Sequence, residues 1–298
     1  TRWSTTGGRA RVPPSPTRLV PGTTYELGPA GTTFAVPVTL EFKYQSAALD
    51  SLQPYYRLAR FTNGAWVPLA SSGSGNATRT ITATTTSFSS YGIVQTSYLA
   101  SALVAPSFPQ VLLGDAVQLT VTPLDQFGAP FTGTIARRVW SGSPNASINQ
   151  NGVLTGVIPG GPYLMNVLLT HWDRCDPSPC YLGSVNGQPV YADSVESKGG
   201  AQFEVFVNLK AVSTVEVAPS TAQLAVGQVR QMLVTLKEAN GNVLDQQFRT
   251  ITWSTTNASV ANVSQSGQVT AVSTGSATIR ATSGGVTGCS RKGWDACK

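Results

Sequence analysis

Apolar and polar residues alternate in short runs along most of the chain. Ala277-Thr-Ile-Arg-Ala-Thr keeps a two-residue step, as does Val36-Pro-Val-Thr-Leu-Glu-Phe-Lys-Tyr near the N-terminus, and Val215-Glu-Val, Gln231 to Leu236 and Val260-Ala-Asn-Val are β-favouring. A step of two sends successive side chains to opposite faces of a strand, so each run reads as a strand with one face buried. Val, Ile, Thr and aromatic residues dominate these runs and suit a pleated surface. Asn240-Gly241, Ser266-Gly267 and Thr274-Gly275 supply turns between them. No stretch holds a period of about 3.6 residues for three turns, so helices are expected to be few and short. The fold class that follows is all-β.

Aligning the chain with itself reveals a duplication. Gly114-Asp-Ala-Val-Gln-Leu-Thr-Val-Thr matches Gly227-Gln-Val-Arg-Gln-Met-Leu-Val-Thr at an offset of 113 residues, and Trp140-Ser matches Trp253-Ser at the same offset. Asn145-Ala-Ser matches Asn257-Ala-Ser at 112, and Asn151-Gly-Val-Leu-Thr-Gly-Val matches Ser266-Gly-Gln-Val-Thr-Ala-Val at 115. So small a drift describes two copies of one domain. About seven short strands in some eighty residues per copy point to an antiparallel sandwich of immunoglobulin type. Trp140 and Trp253 read as core residues, since large aromatics supply much of a core's buried area.

The stretch Val215–Val286 contains VEVAPSTAQLAVGQ, KEANGNVL and ITWSTTNASVANVSQSGQVTAVSTGSATIRATS. It resembles the bacterial immunoglobulin-like domain of group 2, with the domain running over about 212–288. The residues carrying the resemblance are the Gly-Gln, Gly-Asn, Trp-Ser, Val-Ala-x-Val, Gly-x-Val-Thr-Ala and Gly-x-Ala-x-Ile pieces. The copy over about 104–209 is a divergent member, with Ser147-Ile-Asn-Gln in place of Val-Ala-x-Val. The resemblance implies tandem immunoglobulin-like antiparallel β-sandwiches. It also implies an extracellular, cell-surface or virion-surface structural role of the kind filled by adhesins, surface-layer proteins and phage structural proteins. It brings no catalytic residues.

Both copies depart from the family pattern near their ends. In the first, Gly161-Pro-Tyr-Leu-Met-Asn-Val-Leu-Leu-Thr matches the penultimate strand and Ala201-Gln-Phe-Glu-Val-Phe-Val-Asn-Leu the last. Between them residues 171–200 form a long loop, where a hairpin takes two to five residues. It holds His171, Trp172, Asp173, Tyr181 and Tyr191 together with Cys175 and Cys180. Two readings stand: a contact surface built from aromatics on a stapled loop, or a solvated excursion. In the second copy a last strand is expected after Gly288, but Cys289-Ser-Arg-Lys-Gly-Trp-Asp-Ala-Cys297-Lys follows. That segment is too polar and Gly-broken for a central strand. The expectation is an open edge able to take a strand from another chain, with a disulfide-capped edge as the alternative.

Residues 1–22 read as an arm or linker and 23–100 as a further β unit. Its Gly-Pro-x-Gly-Thr-x-Phe and Ser-Phe-Ser-x-Tyr pieces resemble the ZU5-like β-sandwich module, with Trp66 and Phe88 in the core. The expected order is thus arm, ZU5-like sandwich, divergent Ig-like domain over 101–210 and Ig-like domain over 211–298.

Composition narrows the chemistry. Only 11% of residues are charged and the net charge is +6 over 298 residues, too dilute for a nucleic-acid-binding patch. No run of 18 apolar residues occurs, so no membrane-spanning helix is expected. The four cysteines form two close pairs, Cys175/Cys180 and Cys289/Cys297, neither of them CxxC; local disulfides in an oxidising compartment are the simplest account. Asn76, Asn145, Asn257 and Asn262 head Asn-x-Ser/Thr sequons, used only where the source glycosylates asparagine. The single histidine, His171, sits beside Asp173, but no Gly-x-Ser-x-Gly elbow, P-loop or paired-carboxylate cleft accompanies it. Asp173, Asp176 and Asp193 share one stretch without an EF-hand pattern, so no metal and no cofactor is expected. The sequence points to a non-catalytic surface protein, self-associating or bound to other surface proteins through strand edges and loops, in a filament, surface layer or virion. The alternative is an adhesin or carbohydrate-binding module that holds glycans with the 171–200 loop.

Overall fold

A computed structural model describes residues 17–44, 54–70, 73–74, 79–174, 180–185, 188–192 and 194–290. Its described elements are strands and turns, with no α-helix among them. The chain divides into two compact units. One comprises Thr1–Pro109, Val117–Leu154 and Pro162–Val205; the other comprises Gln110–Ala116, Thr155–Gly161 and Phe206–Lys298.

In the first unit the N-terminal strands form two sheets. One runs in the order Thr17–Leu19, Ser90–Thr96, Tyr56–Thr62, Ala65–Pro68, with Tyr25–Glu26 also on Ser90–Thr96. The other runs in the order Thr33–Lys43, Thr80–Ser87, Gly73–Ser74. Alternation along Thr33–Lys43 buries Leu40 and Phe42 and leaves Thr39, Glu41 and Lys43 outside. Leu40 and Phe42 join Leu27, Tyr56, Leu58, Ile81, Tyr91 and Ile93 in one core. Tyr91 is fully buried, and its hydroxyl donates to the Ser87 carbonyl at 2.6 Å, so the phenol enters the core without an unpaired donor. Trp66 is buried with Ala59 and Val94, and Phe88 packs against the main cluster.

Further along the same unit, Arg137–Gly142 pairs antiparallel with Gly160–Arg174, placing Trp140 opposite Val167. Ser194–Asn208 lies on the other side of Gly160–Arg174. The long loop expected over 171–200 is largely built of strand. Gly160–Arg174 and Ser194–Asn208 are each 15 residues long and run into the excursion, and Cys180–Val185 pairs with Gln188–Ala192 beyond them. Odd-numbered positions of Gly160–Arg174 (Met165, Val167, Leu169) are buried, and His171 and Asp173 continue that inward series as polar residues. A change of chemistry on an unbroken two-residue step is why the sequence reads as a loop there.

The second unit holds the C-terminal sandwich. Thr214–Ala218, Leu233–Lys237 and Val243–Leu244 form one sheet, Val229–Gln231, Gln268–Ala271 and Ala261–Val263 a second, and Thr252–Thr255, Ile279–Ser283 and Val286–Cys289 a third. Val215, Val217, Met232, Leu236, Trp253, Val269 and Ile279 make its core. The expectation of a missing last strand is corrected here. Val286–Cys289 folds back on Ile279–Ser283 through Gly284 and Gly285, both at positive φ. It lies so close to Thr214–Ala218 that a Cβ at Gly288 would meet the Val215 carbonyl. The absent side chain at Gly288 is what lets the short final strand seat.

The duplication recurs at the level of single hydrogen bonds. In the first copy the Gln118 amide donates to the carbonyls of Leu119 at 2.8 Å and Asn151 at 2.9 Å. In the second the Gln231 amide donates to those of Met232 at 2.9 Å and Ser266 at 2.7 Å. Leu119 N–H donates to the Gly152 carbonyl, as Met232 N–H does to that of Gly267. Gly152 and Gly267 sit at φ 81° and 79°, and a Cβ on either would press on the buried ring of Trp140 or Trp253. A glutamine therefore ties each strand to a turn whose glycine lies flat on the core tryptophan.

Candidate functional site

The inward polar residues of the extended strand end in a chain of contacts. His171 Nδ1 stands 2.6 Å from the Thr134 carbonyl oxygen, and its Nε2 stands 3.2 Å from Asp173 Oδ1. Phe131 meets the imidazole edge-on with centroids 4.9 Å apart. On its other oxygen Asp173 accepts the Tyr55 hydroxyl at 3.2 Å. Tyr55 is buried and lies against Tyr98 with centroids 4.4 Å apart. Burial, and after it the charge of Asp173, hold the Tyr55 phenol well above its ordinary value; burial does the same to Tyr98. His171 Nδ1 faces a main-chain carbonyl and its Nε2 a carboxylate, so neither ring nitrogen is set against a serine hydroxyl. The arrangement braces strands and does not have the form of a Ser–His–Asp triad.

His171 and Asp173 are therefore drawn inside, whereas the contact-surface reading placed them outside. Their neighbour Trp172 points the other way and is 54% exposed. Leu164 and Leu168 are exposed on the same even-numbered series, with Asn166 and the buried Thr170 between them and Trp172. Tyr181 stands opposite Tyr191 in the terminal hairpin, and Cys180 opposite Ala192. Cys175, Cys297, Asp176, Asp193 and Asn76 lie outside the described residues. Cys289 ends the last strand, and no described cysteine is free.

Of the other sequons, Asn145 is half-buried in a turn with its N–H on Ser143 Oγ. Asn257 is exposed, but its Oδ1 is taken by Ser259; Asn262 is exposed on Ala261–Val263. Among the described residues no three His, Cys, Asp or Glu side chains gather as a metal would require, and no helix is long and apolar enough to cross a membrane. Tyr55, Thr134 and Phe131 were not legible as members of the cluster. Tyr55 lies 118 residues from Asp173, and no periodicity joins them.

The glutamine–glycine–tryptophan arrangement of the second copy lies within a stretch that matches a family model. Residues 211–292 match the model of the bacterial Ig-like domain, group 2. The Ig-like match covers the second copy and stops short of the divergent copy and the ZU5-like stretch. No curated protein matches the chain. Among solved structures, domains 4 and 5 of the S-layer protein SbsC align at 19% identity and TM-score 0.28, over 65% of this chain and 96% of that one. SbsC domains 1–6 align at 18% identity and TM-score 0.27, over 78% of this chain and 34% of that one. The chain thus spans about a third of that structure's length. Extracellular domains 3–5 of Drosophila OTK align at 11% identity and TM-score 0.20, over 85% of this chain and 89% of that one.

Proposed function

We propose that the chain is a non-catalytic structural module of an extracellular or cell-surface protein, in which β-sandwiches hold strand edges and an extended hairpin out for contact. The Ig-like match over 211–292 carries this reading. The glutamine clasp repeated in the preceding copy extends it upstream, because the same bonds close the same turn there. On this reading the chain is an arm, a ZU5-like sandwich and two Ig-like sandwiches. Disulfides Cys175–Cys180 and Cys289–Cys297 staple the hairpin and the C-terminus, and copies associate into a filament or surface array. Immunogold labelling of intact source cells or particles with antibody to the purified chain is expected to decorate the exterior. Label confined to the interior of sectioned cells would overturn the reading.

A second reading, glycan binding, is favoured by the exposed Trp172, since sugar rings stack on aromatic faces. It predicts a glycan-array signal that Trp172→Ala abolishes. A blank array with the unaltered chain would dispose of it.

A further inference from the structure

Thr33–Lys43 is the outermost strand of its sheet: among the described residues it pairs with Thr80–Ser87 on one side and with nothing on the other. The two halves of this edge differ. Pro37 lacks an N–H and falls in the register irregularity between Thr33 and Val38, which blunts the first half against further pairing. From Val38 to Lys43 the register is regular, opposite Thr85 to Thr80, and the strand holds no proline. Tyr25, Leu27, Leu40 and Phe42 line an apolar groove beside this second half, and Tyr25 stands edge-on to Phe42 at 4.9 Å. A strand edge that no described strand covers is the geometry that accepts an added strand through backbone bonds, and the groove extends apolar surface beside it.

The sequence of the edge says which strand. Glu41 and Lys43 both project outward, flanking the inward Phe42, and neither has an ion-pair partner among the described residues. Laid antiparallel against itself about Phe42, Glu41-Phe42-Lys43 sets each glutamate opposite a lysine of the second copy and the two Phe42 residues opposite each other. Opposed side chains in such a pair lie about 5 Å apart, near enough for both ion pairs. Centring on Glu41 would oppose two glutamates, so charge fixes the register. We infer that the chain forms a two-fold dimer by antiparallel pairing of Glu41–Lys43 with the same three residues of a second copy, in the register that opposes Glu41 to Lys43.

This inference rests on the reading that copies associate, and it names one interface by which they do so. Sedimentation equilibrium of the full chain at low salt, with the charge series, tests it. The unaltered chain is expected to dimerise reversibly. Glu41→Lys and Lys43→Glu each replace two attractions by two repulsions and are expected to weaken the dimer about tenfold or more. The double variant restores both pairs reversed, and is expected to return within about threefold of the unaltered chain. Both side-chain changes lie on an exposed face, and circular dichroism checks that each variant is folded. Assembly indifferent to the single charge changes, or not rescued by the double variant, overturns the interface while leaving association standing. A chain that stays monomeric at all concentrations overturns both.

Discussion

At the residue scale the clasp is the unit that defines the repeat. Its two ingredients are a glutamine amide bridging two carbonyls and a glycine whose missing side chain gives a tryptophan its room. These contributions separate by experiment. Gly285 and Gly267 have nearly the same φ, 80° and 79°, but a Cβ at Gly285 meets nothing while one at Gly267 comes within 2.8 Å of the Trp253 ring. Gly285→Ala is expected to cost about 1 kcal/mol from backbone strain alone, and Gly267→Ala about 2–4 kcal/mol because the buried ring must also move. Gln231→Ala leaves its two carbonyls to water and is expected to cost about 1 kcal/mol. Urea unfolding of the three variants reads the order directly; Gly267→Ala no worse than Gly285→Ala would deny the packing account. Both copies of the clasp were visible in the sequence as matched Gln, Trp and Gly. Its hydrogen bonds were not, because spacing shows recurrence without showing which groups meet.

At the element scale, the copies solve one turn differently. In the first, Asp125 is 3% exposed and its Oδ1 accepts the N–H groups of Phe127 and Ala129, both at 2.9 Å. The matching turn of the second copy keeps the glycine at positive φ, Gly241 for Gly128, and the same main-chain bond from it to Glu238. There Asn240 accepts the N–H of Asn242, and the Glu238 carboxylate makes an exposed bond to Asn242. Asp125→Ala strands two donors in a half-buried turn and is expected to cost about 2–3 kcal/mol. Glu238→Ala loses a solvent-screened bond and is expected to fall within about 0.5 kcal/mol of zero. Equal costs in urea unfolding would mean that burial does not separate the turns. The sequence placed Thr214–Ala218, Ala261–Val263 and Ile279–Ser283 well, whereas the run Gln231 to Leu236 divides between two sheets, with Val229–Gln231 in one and Leu233–Lys237 in the other. Alternation failed where inward positions are polar, at His171 and Asp173, since only a distant carbonyl and phenol make those residues fit an interior. It failed again at Val286–Cys289, a strand of four residues too short to show a period, where Gly288 serves as a close contact.

At the scale of the whole molecule, the Tyr55–Asp173 bond joins segments 118 residues apart within one compact unit. It couples that unit's stability to pH. The folded state holds the Tyr55 proton above the ordinary phenol value near 10, because burial and the Asp173 carboxylate both oppose a phenolate. Above that value the unfolded chain releases a proton that the folded chain keeps. Stability from this group is therefore complete below about pH 10 and is lost as pH climbs from there toward the folded-state value. Tyr98, raised by burial, contributes in the same direction. The urea midpoint is expected to be level from about pH 8 to 9.5 and to fall between about pH 10 and 11. Tyr55→Phe is expected to lower the plateau, since Asp173 loses its donor, while making the alkaline fall shallower; the part due to Tyr98 remains. Asp173→Asn keeps the hydrogen-bonding group but removes the charge, so it is expected to reduce the slope less than Tyr55→Phe does. An alkaline slope unchanged in Tyr55→Phe would show that the folded chain does not hold that proton.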